Sequence, residues 1–188
     1  MSSKKQKFRL AFLGSTGVGK DTCVNILKAR YPNLSIHIIR LAEPLYQAQD
    51  CIYRLCRKQK EYYAQDGSLL NFLGQKMRQI NPRVLQEAFV EALKDFHPSA
   101  ELTICCDVRP MDVAFVRSEG FFIVHIVTDP AIALQRREAR GDLSLGNSSH
   151  VTEGGISSDL YDYQITNNGT REELESQLIH LIESRAAL

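Results

Sequence analysis

The sequence predicts an α/β fold in three layers: a five-stranded parallel sheet with helices on both faces. Three observations predict it. Short apolar runs alternate with longer segments of helical spacing along the 188 residues. The first run, Phe8 to Leu13, leads straight into a glycine-rich turn and a helix. The run Phe121 to Val127 is almost continuously apolar, as a parallel strand covered on both faces should be.

The elements follow in order. Phe8 to Leu13 reads as a buried strand, and Thr22 to Tyr31 as the helix after it, closed by Pro32. Ser35 to Ile39 is a second strand and Arg40 to Pro44 a loop. Helical spacing returns from Leu45 to about Lys58, with Gln59 to Ser68 as a polar loop. Leu69 to Ile80 is helical, and Asn81-Pro82 is expected to start a further helix, with proline at its first position. Its apolar stripe runs from Val84 to Phe96. Leu102 to Cys106 is the third strand, ending at Asp107. Pro110 to Glu119 is a short helix closed by Gly120, and Phe121 to Val127 the fourth strand. Asp129-Pro130 opens a helix that runs to Gly141. Gly141 to Gly155 is a polar loop. Tyr163 to Thr166 is the fifth strand, Asn167-Asn168-Gly169 a turn, and Thr170 to Arg185 a last helix with a Thr170/Glu173 capping box.

Composition narrows the function. With 44% hydrophobic and 24% charged residues the chain buries an ordinary core, and 188 residues suit one domain. A net charge of +1 argues against a polymeric nucleic-acid partner. No apolar run is long enough to span a bilayer, and the one after the basic tail of residues 1–7 is too short for a secretory signal. A cytoplasmic protein with no membrane partner is expected. The five cysteines form no C-x-x-C pair and are read as small core residues in a reducing compartment, with a structural zinc site as the alternative. The five histidines form no sequence-near ligand set.

The chemistry centres on Gly14, Ser15, Thr16, Gly17, Val18, Gly19, Lys20, Asp21 and Thr22. A G-x-x-x-x-G-K turn between a strand and a helix lets backbone N–H groups curl around phosphate oxygens, while Lys20 adds a mobile positive charge. The usual hydroxyl after the lysine, which holds Mg²⁺, is replaced here by Asp21. Asp21 is expected near the metal or the reacting oxygens, because a hard cation accepts a carboxylate oxygen. Asp107 follows an apolar strand, where a second metal-holding acid belongs, and Arg109 could reach a phosphate. Arg136, Arg137 and Arg140 end a helix beside the polar loop, so that about 136–153 reads as a lid whose arginines cover the transferring group. Arg78, in a helical region of about 41–96, could grip an acceptor phosphate. Asn168 and Gly169 would meet the nucleotide base.

These features in their order resemble the phage-type deoxynucleoside monophosphate kinases. The likeness rests on Gly19-Lys20-Asp21-Thr22, Ala42-Glu43-Pro44-Leu45, Leu73-Gly74 with Arg78, Asn81-Pro82, Asp107-Val108-Arg109 and Asp162-Tyr163 to Asn167-Asn168-Gly169. It covers nearly the whole chain. It implies a P-loop nucleoside monophosphate kinase-like fold and transfer of the ATP γ-phosphoryl group, with Mg²⁺, to the phosphate of a (deoxy)nucleoside monophosphate. Glu43, Arg78 and Arg109 are then acceptor contacts. Glu43 stands where that family more often has Asp, and Tyr46 where it often has Lys. The animal-type phosphomevalonate kinases share the Gly-Lys-Asp variant and are the alternative. A P-loop protein that binds or hydrolyses nucleotide without an acceptor is the third reading. The partner expected is a small phosphorylated acceptor, and the oligomeric state, a homodimer included, stays open.

Overall fold

β1 (Phe8–Leu13) lies at the centre of a sheet ordered β2-β3-β1-β4-β5, all strands parallel. The others are β2 (Ile36–Ile39), β3 (Leu102–Val108), β4 (Phe122–Val127) and β5 (Tyr163–Thr166). The computed structural model describes residues 8–94, 100–142, 144 and 156–185. The seven helices among them are α1 (Lys20–Arg30), α2 (Glu43–Leu55), α3 (Gly67–Ile80), α4 (Val84–Lys94), α5 (Val113–Ser118), α6 (Pro130–Arg140) and α7 (Arg171–Arg185). The basic tail of residues 1–7, the end of the apolar stripe at Phe96 and most of the lid fall outside the described residues.

Strand alternation divides the core. Leu10 and Phe12 of β1 point to one face, where they pack with Cys23, Ile26 and Leu27 of α1 and Leu174, Leu178, Leu181 and Ile182 of α7. Ala11 and Leu13 point to the other, with Leu41, Leu45, Leu85, Phe89, Val113 and Val116. Helices therefore cover both faces, and the sheet is the middle of three layers.

Two expectations need correction. α4 begins at Val84, not at Pro82. The Asn81 side-chain oxygen accepts from the Arg83 amide at 3.0 Å, and the Val84 amide donates to the Asn81 carbonyl, so Asn81 to Arg83 form a turn before the helix. The cysteines divide: Cys23, Cys105 and Cys106 are buried core residues, but Cys51 and Cys56 are exposed. Elsewhere the helix signals hold. In the capping box of α7 the Glu173 amide donates to Thr170 Oγ1 and the Thr170 amide to the Glu173 carboxylate.

Candidate active site

Parallel strands bring their C-terminal ends to one edge of the sheet, and α1 starts there, immediately after β1. The connecting turn needs glycine for two separate reasons. Gly17 has φ +91°, and a Cβ there would strike the Ala133 carbonyl of α6. Gly19 has φ +100° and lies against the Asn167 side chain, which would collide with any Cβ. Asn167 Nδ2 in turn donates to the Val18 carbonyl at 2.8 Å. Asn167 is buried and also accepts, through its carbonyl, from Thr128 Oγ1 and Arg136 Nη1. The glycine turn is thus clamped from β5, α6 and the β4–α6 connection.

Lys20 Nζ donates to the Gly14 carbonyl at 2.9 Å and to the Ser15 carbonyl at 2.6 Å, so the lysine folds back over the turn. Burial, and next the nearby Arg109 charge, push its ammonium down to about 7, against the opposing pull of Asp21 and Asp107. Lys20, Asp21, Asp107 and Arg109 therefore form one electrostatic group. Arg109 is exposed; its carbonyl accepts from the Asp112 amide at 2.9 Å, and its charge acts on Lys20 and on Asp112.

The low Lys20 value has a measurable consequence. Between pH 7 and the ordinary lysine value near 10.5 the empty site holds Lys20 mostly neutral. A phosphate anion beside Nζ favours the charged form. ADP binding at pH 8 should therefore take up about one proton, and affinity should fall as pH rises above 7. Calorimetry in two buffers of different ionisation enthalpy measures this. The uptake should shrink towards zero at pH 6, and equal heats in both buffers at pH 8 would refute it.

The two acids behave differently. Asp21 Oδ1 accepts from Arg40 Nη2 at 2.9 Å, while the carboxylate stays 56% exposed. Asp107 has both oxygens engaged: Oδ1 accepts from the Leu41 amide at 2.8 Å and Oδ2 from the Ala42 amide at 2.9 Å. It thereby fastens the β2–α2 corner to the end of β3. Among the described residues no three His, Cys, Asp or Glu side chains gather as a metal cage. Mg²⁺ is commonly held by one or two carboxylates together with substrate phosphates and water. Asp21, with one oxygen outside any hydrogen bond, fits such a role directly.

The β2–α2 corner carries residues that local pattern does not single out. The Arg40 guanidinium lies 4.3 Å from the centre of the Tyr63 ring. Glu43 accepts from Tyr62 Oη at 2.7 Å and from Tyr63 Oη at 3.2 Å. A cavity of about 420 Å³ opens beside Arg40, Glu43, Tyr63 and the end of β2. Arg78 pairs with Asp112, its Nη2 3.4 Å from Oδ2, and Asp112 is buried. Burial raises the Asp112 value and the Arg78 charge opposes it.

The arginines at the end of α6 are partly committed. Asp142 receives both Arg140 Nε and Nη2 at 2.7 Å, and Arg137 Nε at 3.5 Å. Arg136 lines a second, smaller cavity with Gly19, Thr22, Asn167 and Gly169. The Asn168 side-chain oxygen accepts from the Asp129 amide at 2.8 Å. Of the lid reading, residues 143 and 145–153 lie outside the described residues. Ser144 touches the N-terminus of α3: its Oγ donates to Asp66, and its carbonyl accepts from the Gly67 amide at 3.2 Å. Burial alone would raise Asp66, but hydrogen bonds from Ser144, the Leu69 amide, Tyr53 and Ser68 bring it down to about 2.

No protein-family model matches the chain, and no curated protein matches it in sequence. Solved structures match its fold. TT1252 from Thermus thermophilus aligns at a TM-score of 0.59 and 14% identity over 96% of this chain and 99% of its own. Shikimate kinase from Acinetobacter baumannii, in complex with shikimate, gives 0.54 and 14% over 96% and 95%. The APS kinase CysC of Mycobacterium tuberculosis, in complex with AMPPNP and APS, gives 0.53 and 17% over 95% and 98%. The chain shares the fold of these structures: α/β, with a five-stranded all-parallel sheet.

Proposed function

We propose that this protein is an ATP-dependent kinase that transfers a phosphoryl group to the phosphate of a (deoxy)nucleoside monophosphate. The observation that carries the reading is the glycine turn at the C-terminal edge of the parallel sheet, where Lys20 Nζ folds back onto the Gly14 and Ser15 carbonyls and Gly17 and Gly19 adopt positive φ. The Arg109 charge also lies near enough to lower the Lys20 value, second to burial. Such repulsion is relieved by a polyanion. Fold likeness to kinases of small molecules agrees with this but does not choose the acceptor.

ATP would lie with its phosphates on Gly14 to Lys20 and its base in the cavity beside Arg136, Asn167 and Gly169. Mg²⁺, when bound with the nucleotide, would be held by Asp21, with Asp107 contributing through water, and would neutralise phosphate charge. The acceptor would occupy the region of α2, α3 and α4, with Arg78, Arg109 and Glu43 facing it. Its attacking oxygen belongs to a phosphate and is already anionic, so no strong general base is required. Positioning and charge compensation supply most of the acceleration. Arg136, Arg137 and Arg140 would cover the transferring group. A cytoplasmic location belongs to the same proposal.

An ADP-release assay with ATP against deoxynucleoside monophosphates, ribonucleoside monophosphates and phosphomevalonate tests the assignment. Acceptor-dependent release with one or more deoxynucleoside monophosphates is expected. Release with phosphomevalonate alone would move the protein to the other acceptor class. Release indifferent to every acceptor would remove the kinase assignment.

A further inference from the structure

We propose that Arg40 is a built-in counter-ion which occupies the Asp21 carboxylate in the empty protein and must leave it when a cation-loaded nucleotide binds. The inference rests on reading Gly14 to Thr22 as the nucleotide-phosphate site. It adds a positioning residue that the glycine-loop pattern does not contain.

Arg40 is the first residue after β2, at the sheet edge where α1 begins. Its side chain is 17% exposed, and its guanidinium is held on two sides, by Asp21 Oδ1 at 2.9 Å and by the Tyr63 ring at 4.3 Å. Asp21 is far more exposed, at 56%, so its outer side stays open to an incoming ligand. The main chain around Arg40 is fixed independently of that ion pair. Asp107 holds the amides of Leu41 and Ala42, and Tyr62 and Tyr63 hold the Glu43 carboxylate. Releasing Asp21 therefore need not move the corner. The side chain can stay on Tyr63, beside the 420 Å³ cavity, with its charge newly uncompensated.

A carboxylate serves an arginine and a divalent cation poorly at the same time, because the two cations repel at close range. Arg40 and Mg²⁺ thus compete for Asp21. Two consequences follow. The cation-dependent part of nucleotide affinity is smaller than Asp21 alone would give. Loading the cation frees a positive charge on the acceptor side of the loop.

The test uses the full chain and ADP, with Kd measured in excess EDTA and in excess Mg²⁺. The ratio of the two values is the readout. Arg40→Met, which keeps a long side chain without the charge, is expected to raise the ratio about tenfold, and Arg40→Ala should act alike. A simple loss of positive charge would also favour Mg·ADP over ADP, so each substitution is repeated in Asp21→Asn. The effect should vanish there if it acts through Asp21. A ratio unchanged within twofold in both Arg40 variants would overturn the proposal. So would an increase of the same size in the Asp21→Asn background. Failure of the wild-type protein to bind ADP would instead remove the underlying nucleotide-site reading, so the two failures are distinguishable. Arg40→Met also covers the case in which Arg40→Ala does not fold.

Discussion

Lys20→Ala is expected to lower kcat about a thousandfold while leaving the protein folded. The size follows from the proposed function, in which Lys20 is a positioned charge and charge compensation would be most of the catalysis. In the empty protein Lys20 Nζ rests on the Gly14 and Ser15 carbonyls, within reach of the turn that would cradle phosphate. Those bonds contribute little to stability, because the ammonium is held at about 7, far below its ordinary value. The sign is clear. From pH 7 towards 10.5 the unfolded chain binds more protons at this position than the folded one, so stability gains with rising pH there. At neutral pH the charged lysine is a burden on the fold. Melting temperature should therefore hold or rise in Lys20→Ala as activity collapses. A variant that keeps its rate within twofold would refute the loop assignment, and one that loses rate only by unfolding would give lysine a structural role.

Asp107→Ala should have the second largest effect, and on both quantities. It removes two charge-assisted bonds to the amides of Leu41 and Ala42. At roughly 1.5 kcal/mol each for half-buried groups, the loss is about 3 kcal/mol. For a chain of this size that lowers the melting temperature by about 8 °C. Activity should fall about a hundredfold, because the corner carrying Arg40 and Glu43 loses its anchor and small misplacements are costly. Melting without metal, and rate against Mg²⁺ concentration, separate the two roles of Asp107. A clamp gives destabilisation without metal and no rescue by Mg²⁺. A pure metal ligand gives unchanged melting and recovery at high Mg²⁺.

Both residues were legible in the sequence because each belongs to a local pattern: a lysine after a glycine turn, an acid at the end of an apolar run. The strands were legible for the same reason, since period and run length are local properties. Strand order was not, because it depends on which edges meet. The partners of the site residues were equally hidden. Arg40 meets Asp21 across 19 positions, Asp112 meets Arg78 across 34, and Asn167 meets Val18 across 149. Arg40 sat in a stretch read only as a loop, and Asn167 in one read only as a turn. Pro82 misled because proline suits a turn as well as a first helical position, and the Asn81 side chain decided for the turn. Glu43 was marked for an acceptor, and two tyrosines of the 62–63 segment already hold it. Nothing in the spacing of those tyrosines announces that contact.

The bond from Asn167 to the Val18 carbonyl also bears on biosynthesis. The turn of Gly14 to Lys20 is synthesised well before the side chain that braces it, since Asn167 lies 149 positions after Val18. Until Asn167 is made, the turn is a glycine-rich strand end without that bond. On the proposed function, competence to hold nucleotide would arrive only when β5 docks. A nascent chain stalled before residue 167 should therefore gain no protection from ADP, and incomplete products would not compete with the finished protein for nucleotide.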